Sequence, residues 1–83
     1  MELKDTIEMM QSGDYRERFK AEVYQLKIRI DKLRGFIEKY AAGELEFTPS
    51  CPQVILQKQL DYMYSYYGVL MRRAEIENIE LDI

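Results

Sequence analysis

Between Phe19 and Tyr40 the apolar side chains fall at alternating intervals of four and three residues. They are Phe19, Val23, Leu26, Ile30, Leu33, Ile37 and Tyr40. That spacing puts one apolar seam along one side of an α-helix for three heptads, and it excludes a strand, whose side chains alternate with a period of two. A second seam follows: Leu56, Leu60, Met63, Tyr67, Leu70 and Ala74 repeat at 4, 3, 4, 3, 4. Two seams of matching length in a chain of 83 residues predict an all-α fold, an antiparallel hairpin of two long helices. A chain of this size buries only roughly 60% of the surface that its unfolded form exposes. Self-association is therefore expected to supply the rest, and the hairpin is expected to be oligomeric.

The element boundaries follow from local signals, and they predict one helical domain over 1–83. Leu3, Ile7 and Met10 recur at helical spacing, so a short amphipathic helix is expected over 2–11. Ser12-Gly13-Asp14 interrupts it. Asp14 is a good N-cap, and Glu17 three residues on resembles a capping box, so the first long helix is expected over 14–41. Gly35 inside it costs roughly 1 kcal/mol relative to alanine. Either close approach of another backbone explains it, or it is simply tolerated.

The loop 42–50 contains Gly43, suited to a helix C-cap, and Pro49. Leu45 and Phe47 are expected to fold back over the hairpin end. Ser50 is expected to cap the second long helix, 51–78, with Pro52 in its first turn. The tail 79–83 continues an alternation of acids and apolar residues and is expected to reach a neighbouring copy as an extended arm.

The second long helix carries a further stripe beside its seam. Ile55, Tyr62, Tyr66, Val69 and Ile76 share a face, with Gln59 and Arg73 at the intervening positions. Two stripes are too wide for a single partner helix. Tyr62, Tyr66, Val69 and Ile76 are therefore expected to meet either the first segment or another copy of the chain.

Composition limits the chemistry. The sequence has no histidine, which removes the commonest general base and the commonest transition-metal ligand. No phosphate loop, metal-ligand spacing or nucleophile motif is present. A non-enzymatic role without metal or cofactor is expected. The uncharged stretch Tyr62 to Met71 is about half a membrane span and holds four tyrosines, so no transmembrane helix is expected. The MELKDTIEMM start resembles no signal or transit peptide. One cysteine, Cys51, fits a reducing cytoplasm.

The net charge of −3 argues against binding to long nucleic acid. The charge is uneven, however: residues 14–40 carry +3, whereas residues 1–13 carry −2 and residues 41–83 carry −4. The basic middle suits a small anion, a neighbour's acidic end, or a solvated helix face.

Seven tyrosines offer rings for stacking and hydroxyls for hydrogen bonding. Tyr15, Tyr24 and Tyr64 lie off the seams. The helix start DYRERFK combines free backbone amides with Arg16 and Lys20 on one face, beside Tyr15 and Tyr24. Lys27 lies one further turn along. These residues can serve a phosphate and a base, or they can be a capped helix start with surface charges. Arg72 and Arg73 form a second candidate pair near the other helix end.

The runs DYRERFKAEVYQLKIRIDKL, GELEFTPSCP and LMRRAEIENIEL resemble a family of small proteins from phages and prophages, common in crAss-like and Firmicutes phages. More distantly, Gly13-Asp14-Tyr15-Arg16-Glu17-Arg18-Phe19 resembles the Gly-Asp-x-x-Glu-Arg-aromatic helix start of the anti-CBASS sponge proteins of phages. Cys51-Pro52 resembles the start of their last helix, and Ala74 with Asn78 resembles its end. Sponge proteins carry an aromatic-rich segment before the Gly-Asp, whereas this chain has Ile7 to Ser12 with no aromatic residue.

The resemblance implies a compact helical hexamer in the cytoplasm of an infected bacterial host. It would sequester cyclic di- or trinucleotide immune signals, or related nucleotides, without cleaving them. The alternative is a helical adaptor or structural oligomer of phage origin, binding a protein through the wide face of the second long helix.

Overall fold

The computed structural model describes residues 1–82; Ile83, the last residue of the predicted arm, lies outside the described residues. Every regular element among them is helical. A 3-10 turn, Leu3–Thr6, runs into a short helix α1, Ile7–Met10. Two long helices follow, α2 over Tyr15–Ala41 and α3 over Gln53–Glu77. At about 1.5 Å per residue α2 is roughly 40 Å long, which sets the 43 Å longest dimension of the molecule.

The two seams pack as an antiparallel hairpin. Phe19, Val23, Leu26, Ile30 and Ile37 of α2 are buried with Leu60, Leu70 and Ala74 of α3. Leu33, Leu56, Met63 and Tyr67 are partly buried against them. Val23 and Leu70 are fully enclosed.

The helix ends explain where the chain turns. The Asp14 carboxylate accepts from the Arg16 backbone N–H at 2.9 Å and caps α2. The capping box expected here does not close. Instead the Ser12 hydroxyl accepts the Asp14 N–H at 3.0 Å, and Glu17 pairs with Lys20 at 3.6 Å. A capping box does form earlier, between Glu2 and Asp5 at the 3-10 turn.

At its other end α2 stops at Gly43, whose φ of 72° is open to glycine at little cost. The Glu44 N–H returns to the Lys39 carbonyl and the Gly43 N–H to the Tyr40 carbonyl, the two bonds of a Schellman motif. In the connector Leu45 is half-buried. The Phe47 ring lies 6.3 Å from that of Phe36 yet stays 61% exposed, so it covers little of the hairpin end. The cap position of α3 is Pro52, not Ser50, and no side chain bonds to that helix start.

Asn78 ends α3 in the left-handed conformation, with φ 54°. A second Schellman pair forms there, from Ile79 N–H to the Ala74 carbonyl and from Asn78 N–H to the Glu75 carbonyl. The reversal lays Ile79 into the core beside Ala74, with Leu81 packed against it. The Asp82 N–H then donates to the Tyr24 hydroxyl at 3.0 Å. The tail through Asp82 thus folds onto its own chain instead of reaching out as an arm.

The N-terminal segment packs against α2. Its buried side is not the expected Leu3–Ile7–Met10 stripe, because Ile7 and Met10 are exposed. Leu3, Thr6 and Met9 face inward instead. The 3-10 turn advances three residues per turn instead of 3.6 and so shifts the phase of the following helix. The Thr6 hydroxyl, fully buried, donates to the Leu3 carbonyl at 2.7 Å and accepts from Gln25 Nε2 at 2.9 Å.

A Cβ added at Gly35 would meet nothing within 4 Å, so close backbone packing does not explain this glycine. The same holds for Gly68 in α3. Gly35→Ala is expected to stabilise the fold by about 0.5–1 kcal/mol. Leu70→Ala, at the centre of the seam, is expected to cost about 2–5 kcal/mol. Urea unfolding followed by circular dichroism measures both.

Candidate functional site

The hairpin brings the start of α2 to the end of α3 and assembles a polar cluster there. The Tyr15 hydroxyl donates to Glu77 Oε1 at 2.7 Å and accepts from Arg73 Nη2 at 2.7 Å. Arg73 Nε reaches Glu77 Oε2 at 3.3 Å. The Arg73 guanidinium carbon stands 4.9 Å from the centre of the Phe19 ring, a cation–π contact. Arg16 Nη1 donates to the Asn78 carbonyl at 3.1 Å.

Glu77 lies on the last turn of α3, where the helix dipole disfavours a carboxylate. The cluster compensates. The Tyr15 hydrogen bond, then Arg73, hold the Glu77 carboxyl below the ordinary carboxylate range. The same bond to Glu77 pushes the Tyr15 phenol above its ordinary value. Partial burial works against the Arg73 charge, but Glu77 and Tyr15 outweigh it and hold its pKa above the ordinary value.

Three of the sequence candidates, Tyr15, Arg16 and Arg73, therefore meet in space, and each is hydrogen-bonded within the chain. Their arrangement fastens the open end of the hairpin. The other candidates lie elsewhere. Lys20 pairs with Glu17 at 3.6 Å, and Lys27 pairs with Asp31 at 3.0 Å. Tyr24 is only 3% exposed, so its ring is part of the core and not a free stacking surface. Its hydroxyl and Lys27 edge a cleft of about 230 Å³ with Met1, Ile28, Asp31 and Asp82. Two carboxylates there offset the single lysine. Arg72 reaches Glu75 at 3.4 Å, with both side chains more than 70% exposed. A pair so exposed contributes little and is easily exchanged for another partner. Tyr64 accepts from Arg34 at 3.1 Å.

The outer face of α3 differs from all of these. Ile55, Tyr62, Tyr66, Val69 and Ile76 are between 45% and 66% exposed. The first segment packs on α2, so the alternative in which it covers this stripe does not hold. The N-terminal half of the face forms an open groove of about 440 Å³, lined by Ile55, Lys58, Gln59, Tyr62, Met63 and Tyr66. Tyr66 donates to the Glu22 carboxylate, which steadies its ring. Exposed tyrosines beside a lysine suit a planar ring bearing an anionic group.

Sequence reasoning did not single out Lys58, Gln59 or Glu77 as site residues. Lys58 had a signal, since it sits three residues after Ile55 and four before Tyr62 and so flanks the stripe. Glu77 had none, because its role depends on the hairpin register. Among the described residues, no group of three or more Cys, Asp or Glu side chains is placed to hold a metal ion. No helix among them is long and apolar enough to cross a membrane.

The family model described as Sequestin matches residues 13–76, from the Gly13 turn through nearly all of α3. No curated protein and no solved structure matches the chain.

The cluster at the hairpin end makes stability depend on pH. The folded-state pKa of Glu77 lies below its unfolded value, so its contribution is present above that value and is lost as pH falls through the carboxylate range. That of Tyr15 is raised, so its contribution is lost as pH rises through the phenol range. Glu77→Gln is therefore expected to lower Tm at neutral pH and to flatten its decline between about pH 5 and pH 3. Thermal melts across that range, beside the parent protein, check this.

Proposed function

The chain belongs to the Sequestin family, and from that premise we propose that it binds and sequesters cyclic di- or trinucleotide immune signals, or related nucleotides, without cleaving them. Membership over residues 13–76 is the observation that carries this, because the family name denotes sequestration and the match takes in both long helices. The resemblance to phage sponge proteins supplies the ligand class and the setting, phage anti-defence in the cytoplasm of an infected bacterium. Tight binding alone lowers the free concentration of a signal, so the role asks for no catalytic group.

Two features support a site where copies of the chain meet, over one inside the hairpin. The Tyr15, Arg16 and Arg73 side chains are already bonded to Glu77 and Asn78, so an anion there would have to displace an internal carboxylate. The α3 groove, in contrast, presents Tyr62 and Tyr66 with Lys58 at its edge. A base stacked on these rings, with phosphates at Lys58 and at Arg72 of a second copy, would use groups that carry few internal bonds. A homo-oligomer, with a hexamer implied by the sponge resemblance, closes such grooves.

Calorimetric titration tests the proposal. Cyclic di- and trinucleotides and cyclic ADP-ribose isomers are added to the full chain, and the ligand is recovered by denaturation and weighed by mass spectrometry. Saturable binding of at least one of them is expected, with its mass unchanged. Tyr62→Ala with Lys58→Ala is expected to weaken it at least tenfold. No binding to any of them at micromolar protein, or recovery of a hydrolysed product, contradicts the proposal.

A further inference from the structure

The exposed face of α3 is close to a palindrome about Tyr66. At 100° per residue, Ile55, Tyr62, Tyr66, Val69 and Ile76 fall within an arc of roughly 80°, about 120° round the helix from the core seam. Counted from Tyr66, Tyr62 lies four residues before and Val69 three after; Ile55 lies eleven before and Ile76 ten after. The two polar positions of the stripe, Gln59 and Arg73, lie seven before and seven after. Asp61, on the flank of the stripe, is five before, and Arg72, on the same flank, is six after.

We infer that this face is the contact of an antiparallel two-fold pair, in which α3 of one copy lies along α3 of a second with the axis near Tyr66. This rests on the self-association in the proposed function and not on the identity of any ligand. A two-fold contact is isologous, so each residue meets its mirror position. Ile55 then meets Ile76 of the second copy, Tyr62 meets Val69, and Gln59 meets Arg73. Apolar residues oppose apolar ones over a stripe roughly 30 Å long, and hydrogen-bonding side chains oppose each other.

Charge distinguishes this arrangement from a parallel one. In the antiparallel pair the flank that carries Asp61 runs beside the same flank of the second copy, which places Asp61 beside its Arg72. A parallel pair would turn that flank to the opposite side of the second copy, so Asp61 would lose Arg72 as a neighbour, and Lys58, at the edge of the stripe, would approach its own counterpart, a repulsive contact. Neither helix must unpack, because the core seam faces elsewhere.

The same register accounts for the groove. Its lining side chains Ile55, Lys58, Gln59 and Tyr62 belong to the N-terminal half of α3. The second copy's C-terminal half would lie across them, bringing Val69, Arg72 and Ile76. Each pair therefore encloses two equivalent clefts, neither of which is complete in one chain.

Disulfide trapping in the absence of nucleotide tests the register. The full chain carries Cys51→Ser as background, with Ile55→Cys in one preparation and Ile76→Cys in another. Mild oxidation of either alone is expected to leave single chains, and oxidation of their mixture to give covalent pairs. Without substitutions at α3, the native mass is expected to be an even multiple of the 10.0 kDa chain. Val69→Lys is expected to halve it or reduce it further, with helicity unchanged because Val69 is exposed. Self-linking of either preparation, no covalent pair in the mixture, or a parent protein that is monomeric at 100 micromolar overturns the inference. Because no ligand enters the measurement, this outcome is independent of the nucleotide titration.

Discussion

The apolar interval of 3.5 residues is the constraint on which the rest of the structure depends. It fixes the faces of α2 and α3 that meet, and through them the register of the hairpin. Val23 and Leu70 are both fully enclosed within it. With that register set, Tyr15 must lie beside Arg73 and Glu77, residues about sixty positions away in the chain. The polar cluster at the open end is a consequence of the seam and then secures it. The tail adds a second fastening, with Ile79 over Ala74 and Asp82 on the Tyr24 hydroxyl.

The hairpin uses the two long helices unequally. Helix α2 meets α3 on one side and the N-terminal segment on another, so most of its apolar residues have partners. Helix α3 meets α2 alone among the helices, and it carries a second stripe that nothing among the described residues covers. A small chain gains by leaving such a stripe for another copy, because each added contact buries surface that a hairpin of this size cannot bury alone. The cations follow a parallel division. Lys20, Lys27 and Arg73 have carboxylate partners in the chain and Arg72 has the exposed Glu75, whereas Lys58 lines the uncovered face.

Much of the fold was legible in the amino-acid sequence, because a heptad pattern is a direct projection of helix geometry. Both seams pack as their spacing predicts, and Asp14 and Gly43 sit at helix ends as their chemistry requires. Where local signals competed, the sequence was less decisive. The inward side of the first segment turned on a 3-10 turn that shifts the helical phase, so Thr6 is buried where Ile7 was expected. Alternation in the tail suggested an extended arm, but the left-handed Asn78 reverses the chain and folds it back. The candidate site divided in the same way. Tyr15 and Arg16 share a helix turn, but the contact with Arg73 and Glu77 arises only from the hairpin register. Tyr24 looked free because it lies off the seam, yet the tail covers it.

The central claim is that function lies at contacts between copies of the chain and not in a pocket within one. Native mass spectrometry of the purified protein, expressed in cells that produce cyclic nucleotide signals, tests it most directly. The account predicts an assembly of several 10.0 kDa chains carrying a nucleotide-sized ligand that leaves intact on unfolding. A single chain retaining such a ligand by itself would contradict it.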